Sequence, residues 1–426
     1  MEQVIEDKPK RASHTKPAAF TEKKYLVTLL FVTSLFLMWG IAMTMGDVLN
    51  RHFQNVLHVS KSKSAMVQFS IFGAYAVMAI PAGLFMKKFG YKYGVLLGLL
   101  LYSCGAFLFV PAANAESFTF FRVALFVLAC GMATLETVAH PFVASLGDER
   151  TSDRRINFAQ SFNGVGAVIG PLIGGYFILR VGDGNAQDLT SVKTLYQVIG
   201  AVILLIAVSF FLVKVPAVKH VHSVDAEKDA YAVPTNPEAL PKSKSLFQRK
   251  HFVWAAVAQF FNVAAQGGTW AYFINYGHEI TGLPDEKASY YFSLSMVMML
   301  LGRFIGTFLM RYIAPNKLLA AFALGNIVMC IIVAQGWGWA SFVALIMINF
   351  FFSIMFPTIF SLGLKGLGSH TQQASSFIVM GVVGGALFPP LMGLIANHNV
   401  ATAYYLPIIC YLVIFLFGAK LYKVSR

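Results

Sequence analysis

The 426-residue sequence predicts an all-α membrane protein with twelve transmembrane helices in two pseudo-symmetric six-helix bundles. Three observations predict this class. Hydrophobic residues form 57% of the chain and charged residues only 12%, about half the charged fraction of a soluble domain. Apolar segments of about 20 residues, long enough to cross a bilayer as helices, recur from end to end. Alternating ten-residue patterns, which indicate a membrane β-barrel, are absent.

The apolar segments fall into two groups of six, separated by the longest polar break of the chain. The predicted spans are residues 25–50, 65–86, 93–112, 118–145, 157–180, 195–214, 251–277, 288–310, 317–336, 339–364, 374–396 and 402–421. The corresponding organisation is a cytoplasmic tail over 1–24, a first bundle over 25–214, a cytoplasmic linker over 215–250, and a second bundle with a short cytoplasmic tail over 251–426.

The distribution of Lys and Arg supports this division and predicts an orientation. Of the 33 basic residues, 25 lie in the tails and in the loops on one side of the predicted membrane, and 6 lie in loops on the other. The positive-inside rule therefore places both termini and the central linker in the cytoplasm. The net charge of +14 is accounted for by topology, so nucleic-acid binding is not expected.

The two halves carry related sequences in the same order. HPFVASLG (140–147) matches FPTIFSLG (356–363), and QSFN (160–163) corresponds to SSFI (375–378) at nearly the same offset. These pairs predict duplication of a six-helix unit, the parallel-repeat plan of many transporters. The four cysteines are scattered in apolar segments, so we expect small buried side chains and no metal site or cofactor.

Glu136 lies in the middle of the apolar stretch LFVLACGMATLETVAHPFV. An acid at the centre of a bilayer costs roughly 2.5–3.5 kcal/mol on insertion scales, so it should face the bundle interior. A carboxyl group in such surroundings can bind and release a proton as its solvation changes. Glu136 is therefore a candidate proton-coupling residue, with a structural acid bonded to a neighbouring helix as the alternative.

Other charged or titratable residues within the spans have less specific signals. Asp47 lies near the outer end of the first span, where an acid is tolerated, or where it could receive a proton from outside. Arg303 needs an anion or a carbonyl group as partner and could serve as a gating or structural charge. His140 follows Glu136 by one helical turn and could relay protons or be a hydrogen-bonded structural residue.

Polar and aromatic side chains in the spans are candidates for substrate binding. Gln259, Asn262 and Gln266 share one face of the seventh span, and Gln160 and Asn163 lie one turn apart on the fifth. Amides can both donate to and accept from substrate hydroxyls, or can join helices. A further pair, Trp39 and Trp270, could offer stacking surfaces or belong to the core.

Longer motifs carry a family resemblance. GLFMKKFGYKYG, LETVAHPFV, NFAQSFNGVGA, GRFIGTFL, FPTIFSLGLKGLG and SSFIVMGVVGG resemble the L-fucose:proton symporter branch of the major facilitator superfamily over residues 25–420. The resemblance implies a carrier in the bacterial cytoplasmic membrane that couples sugar uptake to proton entry. It also implies that Asp47 and Glu136 carry this coupling, and that Glu136 contributes to substrate binding.

Several positions depart from the family pattern. Met43, Thr44 and Gly46 occupy places that hold amides in the fucose carriers, His140 replaces an amide, and Phe356 stands where a tyrosine is usual. The repeat offset from Glu136 leads to Phe352, so the second half lacks the matching acid. The first half is then expected to supply the proton chemistry and the second an aromatic surface, including Phe356, for the apolar face of a sugar.

The resulting hypothesis is monosaccharide:proton symport by alternating access, by a monomer surrounded by lipid and without a cofactor. L-Fucose is the first candidate substrate, and another hexose or an amino sugar remains open. A drug:proton antiporter is the runner-up, because GVGAVIGPLIGG (164–175) ends in a GPxxGG motif of such proteins. In the same motif, the four-residue spacing of Gly166, Gly170 and Gly174 predicts close helix packing. A membrane enzyme would need a catalytic cluster, and the sequence shows none.

Overall fold

Helices form the transmembrane architecture, and their breaks follow from local sequence. The structure is a computed structural model that describes residues 20–147, 151–180, 189–212, 246–367 and 371–423. Most of the predicted N-terminal tail and linker therefore lies outside the described residues. In the first half the helices are α1 (Leu26–Val56), α2 (Lys61–Ser64), α3 (Met66–Phe107), α4 (Phe109–Asn114), α5 (Phe118–Ser145), α6 (Ser152–Gly174) and α7 (Thr190–Leu212).

The second half has the same alternation of long and broken helices. Its helices are α8 (Lys250–Ala271), α9 (Phe273–Thr281), α10 (Asp285–Leu309), α11 (Pro315–Gln335), α12 (Trp339–Phe352), α13 (Met355–Leu364), α14 (Thr371–Met380), α15 (Gly384–Ala396) and α16 (Leu406–Leu416). Short 3-10 or π turns extend the chain at Lys23–Tyr25, Gly175–Leu179, Leu246–Gln248, Gly381–Val383, Thr402–Tyr405 and Phe417–Leu421.

The twelve predicted spans correspond to these helices. Ten stretches of the described chain are long and apolar enough to cross a membrane. One of them, Lys61–Asn114, contains both the second and the third span, because α3 runs on through a break at Gly90. Gly90 has φ +84, a left-handed conformation that favours glycine. The seventh span, α8 with α9, is not among the ten, and its polar face with Gln259, Asn262 and Gln266 lowers its hydropathy.

The tenth span is broken between α12 and α13, just before Pro357. Proline has no amide hydrogen to donate to the carbonyl oxygen four residues earlier, which here belongs to Ser353. That carbonyl instead accepts a hydrogen bond from Arg303 Nε at 3.4 Å. Arg303 therefore has the carbonyl partner that its position in a span requires.

Two large apolar cores accompany the two halves of the sequence. One core consists almost wholly of residues between Tyr25 and Phe210, and the other of residues between Leu246 and Phe417. A small third cluster combines side chains from both halves. This central apolar cluster contains Phe72, Val263 and Ala386, with Met43, Phe356 and Val382 packed against them.

Glycines bring α6 against α1, as their four-residue spacing predicts. A Cβ atom added at Gly166 would lie 2.2 Å from the carbonyl oxygen of Leu37, and one at Gly170 would lie 2.1 Å from Oγ1 of Thr44. Gly174 meets Val48 in the same way, at 2.8 Å. The predicted close packing is confirmed.

We expect Gly166→Ala to destabilise the protein, because the new methyl group can be accommodated only if α1 and α6 move apart. Overpacking of this kind typically costs about 1–3 kcal/mol. The matched control is Gly73→Ala, since a Cβ atom there has no neighbour within 4 Å. Thermal denaturation of the purified variants in detergent should show a lower midpoint for Gly166→Ala alone. Equal midpoints would contradict the packing described here.

Candidate transport site

Ion pairs join the two halves at one end of the helix bundle. This distal end is the one opposite the start of α1 and the end of α16. Arg51 Nε lies 2.8 Å from Asp285 Oδ2, and Lys61 Nζ lies 2.7 Å from Glu279 Oε1. A longer pair, 3.8 Å, joins Arg180 to Glu286. In each pair the cation belongs to the first half and the anion to the second.

Neutral hydrogen bonds close the same end. Asn50 donates to the carbonyl oxygen of Ala271 at 2.6 Å, and Asn275 donates to Gln54 at 2.5 Å. Asn55 donates to Asp285 Oδ2 at 2.7 Å and so supports the ion pair of Arg51. We call these contacts and the three ion pairs the distal gate. The structure is a conformation in which this gate is closed.

Asp47 lies on α1, one turn before the gate residues. Its Oδ1 atom accepts a hydrogen bond of 2.6 Å from Nε2 of Gln68 on α3. Both side chains are almost fully buried, with 4% and 3% of their surfaces exposed. Asp47 therefore faces another helix and not lipid, as a transport role requires.

The central apolar cluster lies next along the same two helices. Met43 precedes Asp47 by one turn of α1, and Phe72 follows Gln68 by one turn of α3. Side chains from α8 and from the 381–396 region complete the cluster. Phe356, predicted to contact substrate, is part of this layer between the halves.

Glu136 lies on the other side of the central cluster, beside Tyr75 and Trp39. The Trp39 Nε1–H group donates to the Tyr75 hydroxyl oxygen at 2.5 Å. The same hydroxyl group is hydrogen-bonded to the Glu136 carboxyl group. Because the indole is only a donor, the tyrosine keeps its own hydrogen for Glu136. The chain of groups runs from Trp39 through Tyr75 to Glu136.

His140 is held by two hydrogen bonds on the same side. Its Nδ1 atom is 2.9 Å from the Glu136 carbonyl oxygen, and its Nε2 atom is 2.6 Å from Nε2 of Gln160. A carbonyl oxygen can only accept, so Nδ1 carries the hydrogen and Nε2 accepts from the amide. This arrangement fits the structural alternative for His140 and links Gln160 to the Glu136 region.

The remaining predicted residues are placed differently. Asn163 donates to the carbonyl oxygen of Phe36 at 3.3 Å, a bond between α6 and α1. Trp270 donates to Asn349 at 2.8 Å and is 7% exposed, so it belongs to the core of the second half. Gln266 is half-buried on α8.

Gln259 and Asn262 are fully buried on α8, and the structure gives them an unusual environment. All four polar atoms of their two amides have no hydrogen-bond partner within the described part of the chain. Unpaired buried polar groups are costly, so native proteins rarely retain them without another role. They remain candidates for contact with substrate hydroxyls.

Three residues important to this arrangement were not predicted from the sequence: Gln68, Tyr75 and Asp285. Gln68 and Tyr75 are seven residues apart in an apolar span, hence on one helix face, and that spacing was the available signal. Asp285 lies in the first turn of α10, where an acid is common and gives no specific signal. Among the described residues, no group of three or more His, Cys, Asp or Glu could hold a metal ion.

The fold and the site define a polytopic membrane transporter with paired halves around a central layer. The chain matches the Major Facilitator Superfamily over residues 30–389. It is 37% identical to the L-fucose-proton symporter of Escherichia coli K12 over 93% of both chains. It is 34% identical to a glucose/galactose transporter of Brucella abortus over 95% of this chain and 96% of that one.

A solved structure gives the same result. The crystal structure of the major facilitator transporter FucP in the outward conformation is 36% identical, with a TM-score of 0.65 over 95% of this chain and 100% of that chain. The chain therefore belongs to the major facilitator superfamily and has its fold of twelve transmembrane helices. It is a transporter and not an enzyme.

We expect Asp285→Asn to favour opening of the distal gate, because Arg51 would lose its buried ionic partner. Removing one member of a buried pair typically costs about 3–5 kcal/mol in the state that contains it. Spin labels at Lys63→Cys and His398→Cys, both exposed at the distal end, report the separation of the halves. Their distance distribution should shift to longer values in Asp285→Asn.

The control for this experiment is the exchanged pair Arg51→Asp with Asp285→Arg, which keeps opposite charges in contact. It should restore much of the short-distance population. An unchanged distribution in Asp285→Asn would show that the ion pair does not stabilise the closed gate.

Proposed function

We propose that this protein takes up a monosaccharide together with a proton by alternating access. The observation that carries the proposal is the placement of Asp47 and Glu136. Both carboxyl groups face neighbouring helices inside the bundle, one on each side of the central apolar cluster. The similarity to fucose:proton and glucose/galactose transporters supports sugar as the substrate.

Asp47 and Glu136 are the proposed proton-coupling residues, and the surroundings of Glu136 also suit a sugar. An ionised carboxylate only accepts hydrogen bonds, and Tyr75 donates one to it. A sugar hydroxyl can donate to the same carboxylate or accept from the protonated acid. Trp39, Gln160 and Glu136 then present an indole, an amide and a carboxyl group to one ligand.

Each entering proton contributes about 2.3 kcal/mol per 100 mV of membrane potential.

The second half is proposed to supply the other face of the binding site. Gln259 and Asn262 offer two amide NH2 groups and two amide oxygens without a partner among the described residues, and Gln266 lies on the same helix face. Phe356 in the central cluster offers an aromatic surface. Trp270 belongs to the core of the second half and Asn163 joins α6 to α1, so we assign them supporting roles.

The transport unit is proposed to be a monomer in the bacterial cytoplasmic membrane, with both termini in the cytoplasm. Both halves of the candidate site come from one chain. We place the bundles at 25–214 and 251–426, with the linker 215–250 between them; the two apolar cores support this division. The excess of Lys and Arg on the side of the termini supports the orientation.

L-Fucose and the hexoses D-glucose and D-galactose are the first substrates to test. The GPxxGG segment, which favoured a drug antiporter, has a packing role here: Gly170 and Gly174 contact α1, and Gly175 contacts Ser289 on α10. Sugar symport is therefore the better-supported reading.

Addition of a transported sugar to right-side-out membrane vesicles should make the external medium more alkaline, because each sugar enters with a proton. The measurement is external pH after separate pulses of L-fucose, D-glucose, D-galactose and an amino sugar. Lipophilic cations provide the comparison. Proton movement driven by such cations, with none driven by any sugar, would support an antiporter instead.

We expect Glu136→Gln to keep sugar exchange but to lose accumulation against a gradient, because the amide preserves shape and hydrogen bonding but cannot carry the proton. Counterflow and proton-driven uptake are compared in proteoliposomes containing equal amounts of protein. Glu116→Gln, at an exposed loop position, is the control. Full accumulation by Glu136→Gln would exclude Glu136 as the coupling residue.

A further inference from the structure

Among the side chains that the structure describes, one is hydrogen-bonded to the Asp47 carboxyl group. Within the described residues its partner is Gln68, at 2.6 Å, and both side chains are buried. Arg51 is the cation one turn further along α1, and it is paired with Asp285. Asn55 also donates a hydrogen bond to Asp285. Asp47 is thus paired with a neutral amide and not with a positive charge.

The surroundings leave few other partners for this carboxyl group. Towards the distal end, Asn50 is bonded across the gate to Ala271. In the other direction, Met43 and Phe72 belong to the central apolar cluster. Among the described side chains, Gln68 is therefore the one placed to hydrogen-bond Asp47.

A neutral amide suits a group that changes its protonation state. An ionised carboxylate accepts hydrogen bonds, whereas a protonated one must also donate. Lysine or arginine could serve only the ionised form. Gln68 presents Nε2–H to Asp47, while its Oε1 atom is buried and has no partner within the described chain. Rotation of the amide by half a turn would offer that oxygen to the protonated acid.

We propose that Gln68 is the positioning residue of the Asp47 proton site and serves the acid in both protonation states by turning its amide. This inference rests on the proposed proton-coupling function of Asp47. It does not require Gln68 to touch sugar or to carry a proton. It predicts that Gln68 affects coupling and leaves the sugar site intact.

The test is Gln68→Met, which keeps nearly the same shape but removes both the donor and the acceptor. Proteoliposomes are assayed with L-fucose and D-galactose for counterflow and for uptake driven by a pH gradient. Counterflow should stay within about twofold of wild type. Driven accumulation should fall by about tenfold or more, the effect expected for one lost hydrogen bond to a charged group.

Two further variants separate a coupling role from a structural one. Asp47→Asn should itself keep counterflow and lose accumulation. Adding Gln68→Met to it should lower neither counterflow nor accumulation further, because Gln68 acts through Asp47. Gln335→Met is the control, since that amide is bonded to Tyr405 on an exposed part of α11. It should behave as wild type in both assays.

The outcomes distinguish this inference from the proposed function. If wild type shows no sugar-driven proton movement, the proposed function fails. If wild type and Asp47→Asn behave as expected but Gln68→Met accumulates sugar normally, only the role of Gln68 is overturned. A parallel loss of counterflow and accumulation in Gln68→Met, or an added loss in the double variant, would also overturn it by showing a structural effect.

Discussion

The arrangement of this protein depends on one constraint: a charged or titratable side chain inside the membrane needs a polar partner, which here comes from another helix. Asp47 finds Gln68, Glu136 finds Tyr75, His140 finds Gln160, and Arg303 finds the carbonyl oxygen that Pro357 leaves free. Each partner comes from a neighbouring helix, so each polar group fixes a helix pair. At Asp47, Glu136 and His140, a change in protonation therefore alters a contact between two helices.

Ion pairs between the halves account for three of the six exceptions to the charge asymmetry. Six Lys and Arg lie on the side of the membrane that the positive-inside rule leaves poor in such residues. Three of them, Arg51, Lys61 and Arg180, are paired with acids of the second half in the distal gate. Because all three pairs have the same polarity, separating the halves exposes a cationic surface on one and an anionic surface on the other. Electrostatic attraction would favour their return, and salt would weaken it.

The sequence predicted the helices better than it predicted their contacts. Apolar length predicted the spans, although the polar face of the seventh lowers its hydropathy, and glycine spacing predicted how α6 packs against α1. The non-helical backbone at Gly90 interrupts α3 between the predicted second and third spans. Glu136 and Asp47 could be predicted from the sequence, because an acid stands out in an apolar segment. Gln68 and Tyr75 are common residue types in a span, and their roles as partners of Asp47 and Glu136 became clear only from the structure. Sequence spacing predicted that Gln259 and Asn262 share a helix face. That their amides lack hydrogen-bond partners among the described residues could be seen only in the structure.

Infrared difference spectroscopy of the reconstituted protein can decide whether Glu136 couples sugar binding to proton transfer, because it detects protonated carboxyl groups themselves. Spectra are recorded with and without L-fucose or D-galactose, for wild type and for Glu136→Gln. We expect a transported sugar to change the carbonyl-stretch signal of a protonated carboxyl group in wild type, and this change to be missing in Glu136→Gln. A sugar-induced signal that persists unchanged in that variant, or sugar binding without any carboxyl signal in wild type, would contradict this expectation.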